Sequence, residues 1–196
     1  FNIFGCLSGC VSDCLFGNGL DLISFVFFIV FSILLLLVTP SCCSVFQNDI
    51  LPEAKKIAEL NNWNHNYHLR DIRDMLKEDY KFPDADVVTG GFPCQAFSYA
   101  GKRLGFEDTR GTLFFEFARA VKEIQPKVIL GENVKGLEKH DGGRTLTTMM
   151  EVLDELGYKA HYKVLRAQYL DVPQKRERLV IIGVRKDLNY KILFPK

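Results

Sequence analysis

Lysine and arginine are missing from the first 46 residues, where the only acids are Asp13 and Asp21. All 25 basic residues and 22 of the 24 acids therefore lie in residues 47–196, which carry a net charge of +3 against +1 for the 196-residue chain. A total this close to zero excludes a strong polyanion-attracting field as a property of the whole chain. The absence also bears on Leu22 to Val38, an uncharged run interrupted only by Ser24 and Ser32. This run is at the short end of a bilayer-spanning helix. It has neither the basic start of a signal peptide nor a basic flank to set its orientation. Zinc-type CxxC spacing is missing too. Cys6, Cys10 and Cys14 repeat every four residues, and Cys42 and Cys43 are adjacent. Neither pattern implies a metal site or a disulfide framework. There is no internal repeat. With 25% charged and 47% hydrophobic residues, disordered, collagen-like and coiled-coil classes are excluded as well.

What is present divides the chain in two: a hydrophobic, cysteine-rich segment over 1–44 and a body over 45–196. Three readings of the first segment stay open. It is a membrane helix over Leu22–Val38, an apolar element buried on the body, or a stretch foreign to the body, as from a disrupted reading frame. The abrupt change in composition near Gln47 favours the third, so residues 1–44 are expected to pack poorly on the body or to form an isolated helix.

The body has the texture of an α/β protein. Strands are expected at Val45–Asp49, Ala85–Thr89, Lys127–Gly131, His161–Ala167 and Arg178–Val184. Helices are expected at Pro52–Asn61, where Ala54, Ile57, Ala58 and Leu60 make an apolar stripe, and at Thr112–Gln125 and Leu146–Leu156. Asn62–His68 reads as a polar loop, and Asp71–Tyr80 as a short helix or turn. This order predicts a mostly parallel sheet whose last two strands form an antiparallel hairpin at one edge.

In open α/β sheets, ligands bind at the carboxyl ends of strands. Three polar groups fall at such ends. One strand runs into Gly90-Gly91-Phe92-Pro93-Cys94-Gln95, another into Glu132-Asn133-Val134, and Gln174-Lys175-Arg176-Glu177-Arg178 precedes the last. Each has a bland reading: a small buried thiol, a surface acid, a solvated charged loop. Together they place a thiol, a carboxylate and two guanidiniums over one sheet. Cys94 is the single cysteine of the body, and it follows two glycines and a proline.

The segments GGFPCQAFSYAGKRLGFEDTRGTLFFE, ILGENVKGL and VPQKRERLVIIGVR, in this order and spacing, resemble the DNA cytosine-5 methyltransferases over about Val45–Lys196. The resemblance implies a partial Rossmann-like S-adenosylmethionine-dependent methyltransferase fold with helices on both faces. It implies transfer of a methyl group from S-adenosylmethionine to C5 of a flipped-out cytosine in double-stranded DNA. Cys94 is then the nucleophile that adds to C6, Glu132 the group gripping the N3/N4 edge, and Arg178 the group holding O2. Arg176 holds a nearby phosphate or the loop itself. Pro93 is grouped with the cofactor contacts. Asp49 resembles the acid that binds the cofactor ribose, and Asp71-Ile72 the pair at its adenine. Phe97 to Gly111 resembles the loop that closes over DNA, which makes Ser98, Lys102, Arg103 and Arg110 backbone-contact candidates. Their alternative is an ordinary solvated loop, and for Asp71 it is a helix cap.

Such a protein is expected in the cytoplasm with the nucleoid, of bacterial or phage type, in a restriction–modification setting. No metal is expected, and a membrane only if Leu22–Val38 spans one. The family opens with a strand and a glycine-rich turn. The nearest stretch, Leu15 to Leu22, is degenerate, and no cofactor role passes to Gly17 or Gly19. The family also continues beyond Phe194-Pro195-Lys196. The chain is thus expected to be the catalytic middle of a methyltransferase, with weak affinity for S-adenosylmethionine. The competing functions are a non-catalytic DNA-binding or assembly remnant, and a membrane-anchored protein whose thiol does other work. For a thiol hydrolase, no motif places His65, His68, His140 or His161 near Cys94.

Overall fold

The computed structural model describes residues 2–6, 44–60, 66–77, 80–94, 113–170, 173–188 and 190–195. The apolar run Leu22–Val38, the Leu15–Leu22 stretch and the loop Phe97–Gly111 lie outside the described residues, as do Ser98, Lys102, Arg103 and Arg110. Among the described residues, no helix is long and apolar enough to cross a membrane, and no group of three His, Cys, Asp or Glu side chains is placed to hold a metal.

Among the described residues, seven strands form one sheet: β1 (Asn2–Cys6), β2 (Ser44–Asp49), β3 (Tyr67–Leu69), β4 (Val87–Gly91), β5 (Val128–Val134), β6 (Tyr158–Arg166) and β7 (Glu177–Arg185). The α-helices between them, among the described residues, are α1 (Pro52–Leu60), α2 (Ile72–Lys77), α3 (Leu113–Ile124) and α4 (Arg144–Glu155). The spatial order is β3-β2-β1-β4-β5-β7-β6.

The expected mostly parallel sheet needs a correction. β2, β3, β4, β5 and β6 run in one direction, yet only the β2–β3 and β4–β5 ladders are parallel. β1 and β7 run the other way. Both are interior, so each turns two ladders antiparallel. The β6–β7 hairpin at one edge is as expected. Within the N-terminal segment, Asn2–Cys6 hydrogen-bond between β2 and β4.

Alternation along the strands sorts the core. Val88, Ile129 and Ile181 point to a face covered by α2, α3 and α4, where Phe114, Phe117, Leu146, Met149 and Leu153 bury their side chains. Leu130, Val180 and Ile182 point to the opposite face, against Leu165, Ala167 and Leu170, with Ile192 and Phe194 partly buried on them. That face is thus covered, among the described residues, by the turn after β6 and by the segment that follows β7. The expected stripe of α1 is buried only at Ala58, while Ile57 and Leu60 are exposed. The reason is that α1 sits by β2 and a three-residue edge strand, which offer little sheet to cover.

Gly90 marks a close approach. A Cβ there would stand 2.6 Å from Cδ2 and 2.8 Å from Cε2 of the buried Phe117 ring. Gly90→Ala is expected to destabilise the fold by about 1–3 kcal/mol through overpacking. The urea midpoint should fall with an unchanged slope.

Candidate active site

β4 ends at Gly91, and the chain turns through Phe92, Pro93 and Cys94. Gly90 faces Phe117, so Gly91 faces the other side of the sheet, where a Cβ would meet Glu132 Oε2 at 3.8 Å. Glu132 is the register partner of Gly91 on β4 and of Val180 on β7. It therefore lies within β5, which runs past the strand end expected at Gly131. The strand continues through Val134 because β7 pairs with it as far as Arg178.

Arg178 sits opposite Val134, which makes it a diagonal neighbour of Glu132 on the same face. The two side chains meet: Arg178 Nε lies 2.7 Å from Glu132 Oε1, and both are mostly shielded from solvent. Arg178 Nη1 also donates to the Glu177 carbonyl at 2.8 Å. Arg176 is half-buried just before the strand. Burial pulls its guanidinium pKa down and the Arg178 charge adds to this, while Glu132 opposes it. One carboxylate thus stands within the field of two guanidiniums.

The cysteine turn is pinned to the same edge. Asn133, 2% exposed, donates from Nδ2 to the Phe92 carbonyl at 2.8 Å, and its Oδ1 accepts the Val134 N–H at 2.8 Å. Phe92 is buried against Phe114 and Phe117. Pro93 is exposed, and Cys94 is a half-buried free thiol packed on the helix-covered core. Sequence reasoning gave Asn133 no role. The available signal was an amide inside an apolar strand, where burial demands partners for it. Asn133→Ala would leave the Phe92 carbonyl unpaired. It is expected to cost about 1–3 kcal/mol of stability in urea unfolding.

Burial pushes the Cys94 thiol up from its ordinary value. The sign is direct: a raised pKa leaves less thiolate at any pH below it. At pH 8, iodoacetamide should label Cys94 more slowly than a free cysteine, and the rate should climb as the pH passes 9. Peptide mapping by mass spectrometry separates Cys94 from the other five cysteines.

The candidate cofactor residues are spread along the same edge. Asp49, 3% exposed at the carboxyl end of β2, accepts the Leu51 N–H at 2.9 Å, and burial together with the Asp49 charge pushes the Tyr67 hydroxyl up to about 12. Exposed Ile50 and Leu51 follow it. Asp71 caps α2 through the Arg73 N–H at 2.8 Å and pairs with the Arg73 guanidinium at 2.5 Å. These bonds hold its carboxyl below the usual range. Ile72 is buried in the core at 1% exposure, a wall of the fold and not an open face. Asn48 joins the two acids' segments, donating from Nδ2 to the carbonyls of His68 at 3.1 Å and Arg70 at 2.8 Å.

A buried carboxylate at a strand end suits a ribose diol, so Asp49 fits the nucleoside half of S-adenosylmethionine. The methionine half fits less well. Because β1 runs backwards, Asn2 lies beside Gly91, and the carboxyl end of β1, at Cys6, points to the far edge.

A family model described as C-5 cytosine-specific DNA methylase matches residues 37–196. The chain belongs to this methylase family. It is 65% identical over 112 residues to Type II methyltransferase M.PspPI of Psychrobacter sp., covering 57% of this chain and 27% of that protein. To Type II methyltransferase M.HhaI of Haemophilus parahaemolyticus it is 53% identical over 154 residues, covering 78% and 46%. The crystal structure of the S. pombe Dnmt2 methyltransferase matches with a TM-score of 0.57 at 22% identity, covering 76% of this chain and 43% of that one. The last likeness concerns the fold, which is the Rossmann-like methyltransferase fold in part. This methylase chain spans less than half the length of each of these three proteins.

Proposed function

We propose that the chain carries the catalytic centre of a DNA cytosine-5 methyltransferase, with Cys94, Glu132, Arg176 and Arg178 as its reacting and gripping groups. The observation that carries this reading is the 2.7 Å Arg178–Glu132 pair, set by strand register beside the Cys94 turn. Cytosine presents an amino donor, a ring-nitrogen acceptor and a carbonyl acceptor along one edge. A carboxylate next to a guanidinium matches that edge: Glu132 takes the N4–H and places a proton at N3, and Arg178 donates to O2. The edge is free for such contacts only when the base leaves the stack.

Protonation at N3 makes C6 electrophilic. The Cys94 thiolate adds there, a sulfur–carbon bond forms, and the ring electrons shift to C5. Bound S-adenosylmethionine, the donor of this family, supplies an electrophilic methyl group. Loss of the C5 proton later expels the Cys94 thiolate and restores the ring. Arg176 steadies a phosphate or the loop near Arg178. Asp49 would hold the ribose hydroxyls and Asp71 the adenine amino group. Ile72 backs that contact from within the core, and Pro93 presents the turn.

The test is duplex DNA incubated with the chain and S-adenosylmethionine carrying a labelled methyl group, followed by hydrolysis to nucleosides. Label in 5-methylcytosine supports the reading, and label in another base refutes it. The direction of β1 favours a second reading, a DNA-binding remnant that does not take the cofactor. That reading expects a mobility shift with DNA, no calorimetric signal with S-adenosylmethionine and no labelled nucleoside.

A further inference from the structure

The residue between the two motif arginines has no role in the chemistry above, yet it bonds two cations at this edge. Glu177 is the first residue of β7. It pairs in register with Arg166 at the end of β6, and Arg178, the next residue, pairs with Val134, so Glu177 falls in line with Lys135 just past β5. The last row across these three segments is therefore Lys135, Glu177, Arg166. Their side chains are bonded: Lys135 Nζ to Glu177 Oε2 at 2.9 Å, and Arg166 Nε to Glu177 Oε1 at 2.9 Å. The adjoining backbone is tied as well, with the Ala167 N–H donating to the Arg176 carbonyl at 2.9 Å.

A cavity of about 350 Å³ opens here, lined in part by Lys135, Lys163, Arg166 and Tyr169. Its cations are already engaged. Glu177 takes two of them, and Lys163 donates to the Pro195 carbonyl at 2.6 Å. The row thus acts as a clamp more than as an anion site.

Strand ends fray unless something holds them. Alternation along β7 sends the Glu177 side chain to one face and Arg178 to the other. The Glu177 main chain nevertheless touches the Arg178 head group, because its carbonyl accepts Nη1 at 2.8 Å. Fixing Glu177 from both sides therefore fixes one of the two bonds that aim the Arg178 guanidinium.

We propose that Glu177 is a positioning residue: clamped between Lys135 and Arg166, it holds the start of β7 so that the Arg178 guanidinium stays set against Glu132. Its relevance to catalysis rests on the function proposed above, but the positioning does not. Half-exposed ion pairs add little to global stability, so a local effect is expected without general unfolding.

The test uses the 196-residue chain. The Arg178 Nε–H resonance, assigned through Arg178→Lys, should be protected from solvent exchange. In Glu177→Ala, exchange should quicken about tenfold or more while the thermal midpoint stays within a few degrees. The double variant Lys135→Met/Arg166→Met should behave the same way, and Asp187→Ala, which breaks a pair with Arg185 at the other end of β7, should not. Unchanged exchange in Glu177→Ala, or loss of the whole fold along with it, overturns the proposal. Where the chain methylates DNA, Glu177→Ala should lower kcat about tenfold with KM changed less than twofold. A wild-type chain that transfers no methyl group while the exchange result holds would count against the proposed function, and leave the clamp standing.

Discussion

Cys94→Ser is expected to abolish methyl transfer, by at least about 1,000-fold, while DNA binding stays within a few-fold of the parent chain. Serine keeps the shape of the side chain, so the Phe92–Cys94 turn and its tether from Asn133 stay in place. It does not keep the chemistry. The hydroxyl is far less acidic than a thiol and cannot add to C6 at neutral pH. Duplex DNA carrying 5-fluorocytosine gives the clearest measurement. With S-adenosylmethionine present, methylated C5 would carry fluorine in place of the proton that must leave, so on the proposed mechanism the Cys94–C6 bond would stay intact and a denaturation-resistant complex would accumulate. The parent chain should give this band on a denaturing gel, and Cys94→Ser should not. A band of equal strength in the variant would end the covalent mechanism, as would unchanged turnover.

Glu132→Gln should slow transfer about 100-fold. The amide matches the carboxylate in size and can still accept from N4, so base binding should weaken less than the rate. On the proposed mechanism, what it loses is the proton that Glu132 would place at N3, without which C6 remains a poor acceptor for the thiolate. The substitution also removes the charge that faces Arg178 at 2.7 Å. The guanidinium is then left mostly shielded beside Arg176 with no carboxylate between them, a cost of like charges at close range. The Glu132→Gln fold should therefore be more salt-sensitive than the parent, with its urea midpoint rising as added salt screens the two arginines. Equal rates for variant and parent would remove Glu132 from the chemistry. A midpoint indifferent to salt would show that the two arginines do not strain each other.

The readable parts of the fold were those where one local rule had no competitor. Thr112–Gln125 reads as a helix from its apolar stripe, and α3 buries Phe114, Phe117, Ala118 and Val121 along it. The apolar runs at Val128 and Leu179 read as buried strands, and β5 pairs with β7 along its whole length. Other elements were hidden because neighbours, not sequence, create them. Tyr67–Leu69 lies in a polar stretch and is a strand only because β2 offers an open edge. Lys135–Gly143 shows no periodicity at all. It is a kinked 3-10 stretch that changes direction where Asp141, Gly142 and Gly143 take positive φ.

The sequence by itself determined the family and the identities of the chemical groups, since a thiol after Gly-Gly-Phe-Pro, an acid in Glu-Asn-Val and the paired arginines are local, ordered signals. It also set each of them beside an apolar run. Tertiary structure alone decided how those groups meet. That Arg178 reaches Glu132 is a matter of register between β5 and β7, and a slip of one residue would send the two side chains to opposite faces. That Asn133 holds the cysteine turn and Glu177 the start of β7 depends on which backbone carbonyls and cations lie across the sheet. The direction of β1 was likewise invisible, because an extended segment can complete its hydrogen bonds in either orientation, and only the strands on each side select one.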